Sequence, residues 1–150
     1  MNSVQKKSAS LRETGKITKT IVLLGKEKKR RGALVFALSG PLGSGKTSIV
    51  KHAARMFGIP KKKVTSPTFV LVKRYPIARW GFSSLFHADA YRIKNKREFE
   101  KIGFKTVMQD KNAVVFVEWA ENIKTLIPKD AITIRTAHGK NAHERIVTVL

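Results

Sequence analysis

The sequence predicts an α/β domain with a mostly parallel central sheet and an antiparallel extension at its C-terminal end, and three observations carry that reading. Two runs, Ala33 to Leu38 and Ala113 to Val117, are apolar without interruption and bounded by turn residues, as in strands buried on both faces of a parallel sheet. Between the first run and a helix-like stretch lies a glycine-rich turn, GPLGSGKTS, Gly40 to Ser48. Near the end, Ala131 to Thr136 and Arg145 to Leu150 flank a turn bearing Gly, Asn and His, the pattern of an antiparallel hairpin.

Taken in order, residues 1–9 are polar and read as frayed. Leu11, Ile17, Ile21 and Leu24 recur at near-helical spacing, with Ser10 as N-cap and Gly25 as stop, which predicts a first helix. The basic stretch 26–31 reads as a solvated loop, and the strand Ala33 to Leu38 follows. From Lys46 to Phe57, Ile49, Val50, Ala53, Ala54 and Phe57 share one helical face, closed by Gly58 and Pro60. Phe69 to Tyr75 is strand-like, Pro76 to Ser84 reads as a loop, and Leu85 to Ala88 as a short strand. Asn95 with Glu98 forms a capping-box pattern opening a short helix through Ile102, and Ala113 to Val117 ends at Glu118.

A chain of 150 residues is the length of one domain and needs no covalent staple. With no cysteine, disulfides, thiolate metal sites and a cysteine nucleophile are excluded. No apolar run approaches the ~20 residues of a membrane span, and the first 25 residues lack the apolar core of a signal peptide, so the expected setting is the cytoplasm. Lys and Arg number 31 against 10 Asp and Glu, a formal charge of +21, and such a field favours a polyanionic partner, nucleic acid or a strongly acidic protein.

Gly40, Gly45, Lys46 and Thr47 satisfy G-x-x-x-x-G-K-[ST] in the required context, strand before and helix after. Glycines allow backbone conformations closed to other residues, so successive N–H groups can converge on phosphate oxygens, and the helix start adds its positive end. Lys46 can reach terminal phosphates, and the Thr47 hydroxyl can ligate Mg²⁺. Gly43, Ser44 and Ser48 complete the cradle. Magnesium wants a carboxylate at the end of a neighbouring strand, and both Glu118 and Asp89 qualify; Arg92 is a candidate surface partner of Asp89. His87 reads as a half-buried, satisfied histidine, Trp119 as packing, and Lys61 to Lys63 as a solvated loop.

Four stretches in order, GPLGSGKTS, SPTFVLV (Ser66 to Val72), HADAYR (His87 to Arg92) and FVEWAE (Phe116 to Glu121), together resemble the successive motifs of the TsaE (YjeE) family of P-loop ATPases. The resemblance extends to Ile102-Gly103 and Arg145-Ile146. It implies a three-layer P-loop NTPase fold and a part in making the threonylcarbamoyl modification on transfer RNA adenosine. There, ATP turnover with Mg²⁺ resets the TsaD and TsaB complex, and tRNA is close at hand. It implies that Ser66, Pro67, Thr68 and Phe69 form a switch-like loop near the γ phosphate, that Asp89 is a catalytic or water-positioning carboxylate, and that Glu118 with Thr47 serves the metal directly or through water. It places Thr14 near the adenine and Arg145 near the nucleotide. The family's common EWPER reads Glu118-Trp119-Ala120-Glu121-Asn122 here, and Lys73 and Arg74 replace acidic residues after the SPTF strand. Two other readings share these features: a small-molecule P-loop kinase, and a basic RNA-binding protein with a vestigial nucleotide loop.

Overall fold

A computed structural model of the chain describes residues 3–67 and 69–150. Its elements are β1 (Val4–Ser8), α1 (Leu11–Glu27), β2 (Leu34–Ser39), α2 (Lys46–Met56), β3 (Val72–Arg79), β4 (Phe82–Asp89), α3 (Arg97–Lys101), α4 (Phe104–Gln109), β5 (Ala113–Glu118), β6 (Ile132–His138) and β7 (Arg145–Val149), with 3-10 helices over Lys61–Lys63 and Ala120–Leu126. The strands form one seven-stranded sheet in the order β1-β7-β6-β2-β5-β4-β3. Its centre, β6-β2-β5-β4, is parallel, and antiparallel pairs close both sides. An α/β fold of three layers with a mostly parallel centre is therefore the architecture.

Alternation along the central strands builds two cores. Leu34, Phe36 and Leu38 of β2 join Val114 and Phe116 of β5 beneath α1 and α2, while Val35, Ala37, Val115 and Val117 face Phe99 and Phe104 of the α3–α4 side. Phe36 pairs in register with Phe116, and their rings stack at 4.6 Å. Because both strands are buried on both faces, neither shows a polar alternation, and their parallel course brings their carboxyl ends to one rim.

Four expectations are corrected. Residues 4–8 are ordered as β1, the sheet edge paired with β7; its VQKKS sequence is solvated except at Ser8, and lysines on an edge are a guard against further pairing, so no apolar pattern marked it. Helix α1 runs two residues past Gly25, which is buried against the sheet: a Cβ there would stand 2.5 Å from Ile132 Cδ1 and 2.9 Å from Phe36 Cζ. The loop read from Pro76 to Ser84 is instead most of a β-hairpin, β3 and β4 joined at Trp80-Gly81, in which Pro76 sits on the edge strand where its missing N–H costs little. The capping pattern is shifted: Asn95 Oδ1 accepts from Arg97 N, and Glu98 Oε1 accepts from Lys94 N rather than from Asn95. At α1 the N-cap is as read, with Ser10 Oγ accepting from Glu13 N.

The close seat of α1 on the sheet has a measurable consequence. Gly25→Val forces a branched side chain against Phe36 and Ile132, and overpacking of this kind costs about 1–3 kcal/mol. Thermal unfolding followed by circular dichroism is expected to show a midpoint several degrees lower, and an unchanged midpoint contradicts this packing.

Candidate functional site

The loop leaving β2 folds against the end of β6. Gly40 has φ 134°, a region reserved for glycine, and a Cβ there would lie 2.1 Å from the Thr136 carbonyl oxygen. The Thr136 hydroxyl donates to Ser39 O (3.1 Å) and pairs with Ser44 Oγ (2.6 Å), so a threonine from the last hairpin ties the two ends of the loop together. From the same hairpin, His138 Nε2 donates to Leu42 O (2.9 Å) and Arg145 Nε to Gly43 O (3.1 Å). With these carbonyls engaged, α2 starts at Lys46 directly after Gly45, whose φ is 100°. The first N–H groups of that helix have no intrahelical partner and carry its positive end.

Lys46 is buried. Its ammonium donates to Gly40 O (2.7 Å) and Pro41 O (2.9 Å) and lies 4.1 Å from the Trp119 ring centre. Burial holds its pKa below the ordinary lysine value, and Glu118, Glu121 and Asp89 oppose that shift. Trp119 thus does more than pack: in a left-handed conformation at the end of β5, with φ 56°, it turns its ring beneath the cation and against Tyr91.

Three strand ends supply the rest. The Thr47 hydroxyl stands 2.9 Å from both oxygens of Glu118 and donates to that carboxylate. His87 Nε2 lies 2.7 Å from Glu118 Oε1. His87 is fully buried rather than half-buried, and its Nδ1 finds no partner among the described residues, so it is not the satisfied histidine of the sequence reading. The cause is register, since β4 is an interior strand and His87 stands beside Phe116 within it. Two positions on, Asp89 is level with Glu118. Asp89 Oδ1 accepts from Tyr91 N (2.8 Å) and Oδ2 from Ser66 Oγ (3.1 Å), which joins the Ser66-Pro67 segment to the strand end. The Arg92 guanidinium stacks over Phe69 at 4.6 Å.

Two cavities meet at the loop. One of about 440 Å³ is lined by Lys46, Thr47, Ser66, Asp89, Glu118 and Trp119. The other, of about 370 Å³, lies between α1 and the last hairpin and is lined by Thr14, Ser44, His143 and Arg145 among others. Gly43, Gly45 and Ser48 border both. Thr14 reaches the second cavity while its hydroxyl pairs with buried Ser8 (2.7 Å) and donates toward Ser10 O (3.2 Å). Arg145 also reaches it, its Nη1 held by Ala142 O and Glu144 O. The structure thus gathers Gly40, Gly43, Ser44, Gly45, Lys46, Thr47, Ser48, Ser66, Asp89 and Glu118 around the loop, with Thr14 and Arg145 across the second cavity. Thr68 lies outside the described residues. Ser8, Thr136, His138 and His143 escaped the sequence reading, because only the folded hairpin and edge strand carry them to the loop.

Among the described residues no three His, Cys, Asp or Glu side chains converge as a cation cage. Magnesium needs none, since it binds through one or two carboxylates together with phosphate oxygens and water, and a hydroxyl beside a carboxylate is a donor set that suits it. Nor is any helix among the described residues long and apolar enough to cross a membrane.

The chain was compared with known proteins. The family profile described as threonylcarbamoyl adenosine biosynthesis protein TsaE matches residues 8–147. The tRNA threonylcarbamoyladenosine biosynthesis protein TsaE of Borreliella burgdorferi is 36% identical over 98 residues, covering 65% of this chain and 68% of that protein. Its namesake from Mycobacterium tuberculosis is 32% identical over 120 residues, covering 76% and 70%. The crystal structure of YdiB from Bacillus subtilis superposes with a TM-score of 0.69 at 26% identity, covering 99% of this chain and 84% of that one. A profile match that takes in the glycine loop, both strand-end carboxylates and the closing hairpin shows that the chain belongs to the TsaE family of tRNA threonylcarbamoyladenosine biosynthesis proteins.

Proposed function

We propose that this TsaE-family chain is a Mg²⁺-dependent ATPase whose turnover drives repeated cycles of the TsaD and TsaB complex in N6-threonylcarbamoyladenosine formation on tRNA. The observation that carries the reading is the Thr47 hydroxyl on both oxygens of Glu118, set between two cavities that share the glycine loop. The cavity between α1 and the last hairpin has room for the nucleoside, with Thr14 on its wall, and the other suits the terminal phosphates. Bound Mg²⁺ supplies charge that offsets the phosphate oxygens, and Thr47 with Glu118 would hold it. Lys46 leaves its two carbonyl partners for the phosphates, whose negative charge opposes the effect of burial on its pKa. Asp89 orients the attacking water; addition to the γ phosphorus breaks its bond to the ADP oxygen and yields ADP, phosphate and a proton. Ser66 on Asp89 lets the switch-like segment respond to the state of that end of the site. A vestigial loop has no need to keep both hydroxyl and carboxylate in this arrangement, which weighs against a purely RNA-binding protein.

Lys46→Ala removes phosphate charge compensation and Glu118→Ala removes the metal's carboxylate, so each is expected to abolish Mg²⁺-dependent phosphate release measured on the purified protein with TsaD and TsaB present. Activity surviving both substitutions puts the reaction elsewhere. His87→Phe keeps the volume and removes the donor to Glu118. A hydrogen bond to a charged group contributes about 1.5–3 kcal/mol, so hydrolysis is expected to fall about tenfold or more, with a higher Mg²⁺ requirement in a metal titration. A parental Mg²⁺ profile would show that His87 only fills space. For the pathway role, tRNA modification is reconstituted and the modified tRNA per TsaD–TsaB complex is counted. Multiple turnovers are expected only with this protein and ATP, and equal turnover without it refutes the role.

A further inference from the structure

Outside the candidate nucleotide site, a groove beside α1 and α2 is lined by six lysine and arginine side chains and no acid. Arg12, Lys16 and Lys19 recur about one helical turn apart, ~5.4 Å, along a single stripe of α1. Arg55 of α2, Lys61 of the following 3-10 helix and Arg79 of β3 face that stripe across a groove of about 780 Å³, and no acidic side chain lines it. His52 at its floor is held below the ordinary histidine value, by burial first and then by Lys61 and Arg55, and the Lys61 ammonium donates to its Nε2 at 3.4 Å.

One end of the groove is built at a cost. Trp80 and Gly81 form the two-residue connection between β3 and β4, with φ of 53° and 81°. Positive φ at both central residues is the pattern of a type I′ turn, in which Asn, Asp or Gly is preferred at the first position. A bulky aromatic there is a backbone outlier. The strain presents a tryptophan that is 39% exposed, its ring met edge-on by Phe57 at 5.2 Å and attended by the Arg79 guanidinium at 4.8 Å and the Lys26 ammonium at 5.6 Å, cations that a stacked base would displace. A cationic groove ending in an exposed aromatic plane is how sequence-tolerant proteins hold a nucleic-acid strand: charges follow the phosphates and the ring stacks a base. An acidic protein surface accounts for the charges as well, and it is the solvent-facing part of Trp80 at the groove's end that favours a nucleic-acid strand over it.

We propose that the groove between α1, α2 and the Trp80-Gly81 turn binds the phosphodiester backbone of a single-stranded RNA segment, with one base stacked on Trp80. The assignment is independent of ATP hydrolysis, because the groove meets the nucleotide cavity at Leu11 and shares none of the phosphate-loop residues.

The test uses a fluorescein-labelled oligouridylate without ATP or magnesium, so that its result does not depend on the ATPase reading. Fluorescence anisotropy is followed across a salt series for the parent chain and for the groove variant Lys16→Ala/Lys19→Ala/Arg55→Ala. The control is Lys96→Ala/Lys101→Ala/Lys105→Ala on the α3–α4 side, which loses the same charge from exposed positions. Each lost phosphate contact lowers the log–log salt slope by ~0.7, so the groove variant is expected to lose about 2 units of slope and about tenfold or more in affinity, the control far less. Trp80→Leu is expected to weaken binding about fivefold or more. Trp80 and Trp119 are the two tryptophans of the chain, so Trp119→Phe isolates the Trp80 emission, which oligouridylate is expected to quench. Equal losses in the groove and control variants overturn the proposal, as does unquenched Trp80 emission. Polyglutamate that displaces the RNA at equal charge, with Trp80→Leu binding as the parent does, gives the groove to an acidic protein and also overturns it.

Discussion

The distance between Gly40 and the Thr136 carbonyl leaves no room for a side chain, and the geometry of the site follows from that contact. Because the loop lies against β6, Thr136 can hold Ser39 and Ser44 at once, and the loop is closed before its helix begins. Because the loop is closed, α2 starts at Lys46 and aims Thr47 at the end of β5. The parallel register then does the remaining placement: Leu38 stands beside Glu118, and Glu118 beside Asp89. The distance from Thr47 to Glu118 is set by rigid elements, since Glu118 ends a strand buried on both faces and Thr47 opens a helix whose loop is pinned to β6.

Electrostatically the site sets the burial of a cation against the pull of nearby acids. Lys46 is desolvated, faces three carboxylates, and has two backbone carbonyls and an indole ring as immediate company. These neighbours are weaker than a phosphate would be, because neutral acceptors stabilise a cation less than charged ones do. Glu118 carries hydrogen bonds from Thr47 and lies against His87, which keeps a buried carboxylate in place without an arginine or lysine salt bridge. A buried acid so held costs less to bring to a metal than one that must first be immobilised, the general advantage of a supporting second layer.

Legibility in the sequence followed burial. β2, β5 and α2 are buried or one-sided, and their apolar runs could be read almost to the residue. The glycine loop could be read because each of its residue types has a stereochemical reason. β1 could not, since an edge strand with four exposed positions and two lysines has no pattern to distinguish it from a frayed terminus. The β3–β4 hairpin was hidden by Pro76 and by a tryptophan in the place where a turn residue belongs. The surroundings of the carboxylates were hidden for another reason: the contact of His87 with Glu118 and that of Thr136 with Ser44 join positions far apart in the chain, and only strand order brings them together.

The same strand order explains how so large a positive charge coexists with a site built on carboxylates. Helix α1 turns Thr14 inward to the cavity beside the glycine loop and Arg12, Lys16 and Lys19 outward, so one helix separates two surfaces of different character. On its inner side the charged groups are desolvated and held by hydrogen bonds, Lys46 to backbone carbonyls and Glu118 to Thr47 and His87, where each partner counts. On its outer side the cations stand in water, where their mutual repulsion is screened over about 8–10 Å and costs little in the folded state. Excess charge is tolerated on that outer face because it is solvated, and it lies along a groove because Arg55, Lys61 and Arg79 face the α1 stripe across it. Moving it to the strand ends would strengthen phosphate attraction there but add like charge beside Lys46, whose pKa burial already lowers against the pull of three nearby acids. Segregation of the two fields across α1 keeps the charge balance of the loop insensitive to the charge the surface carries.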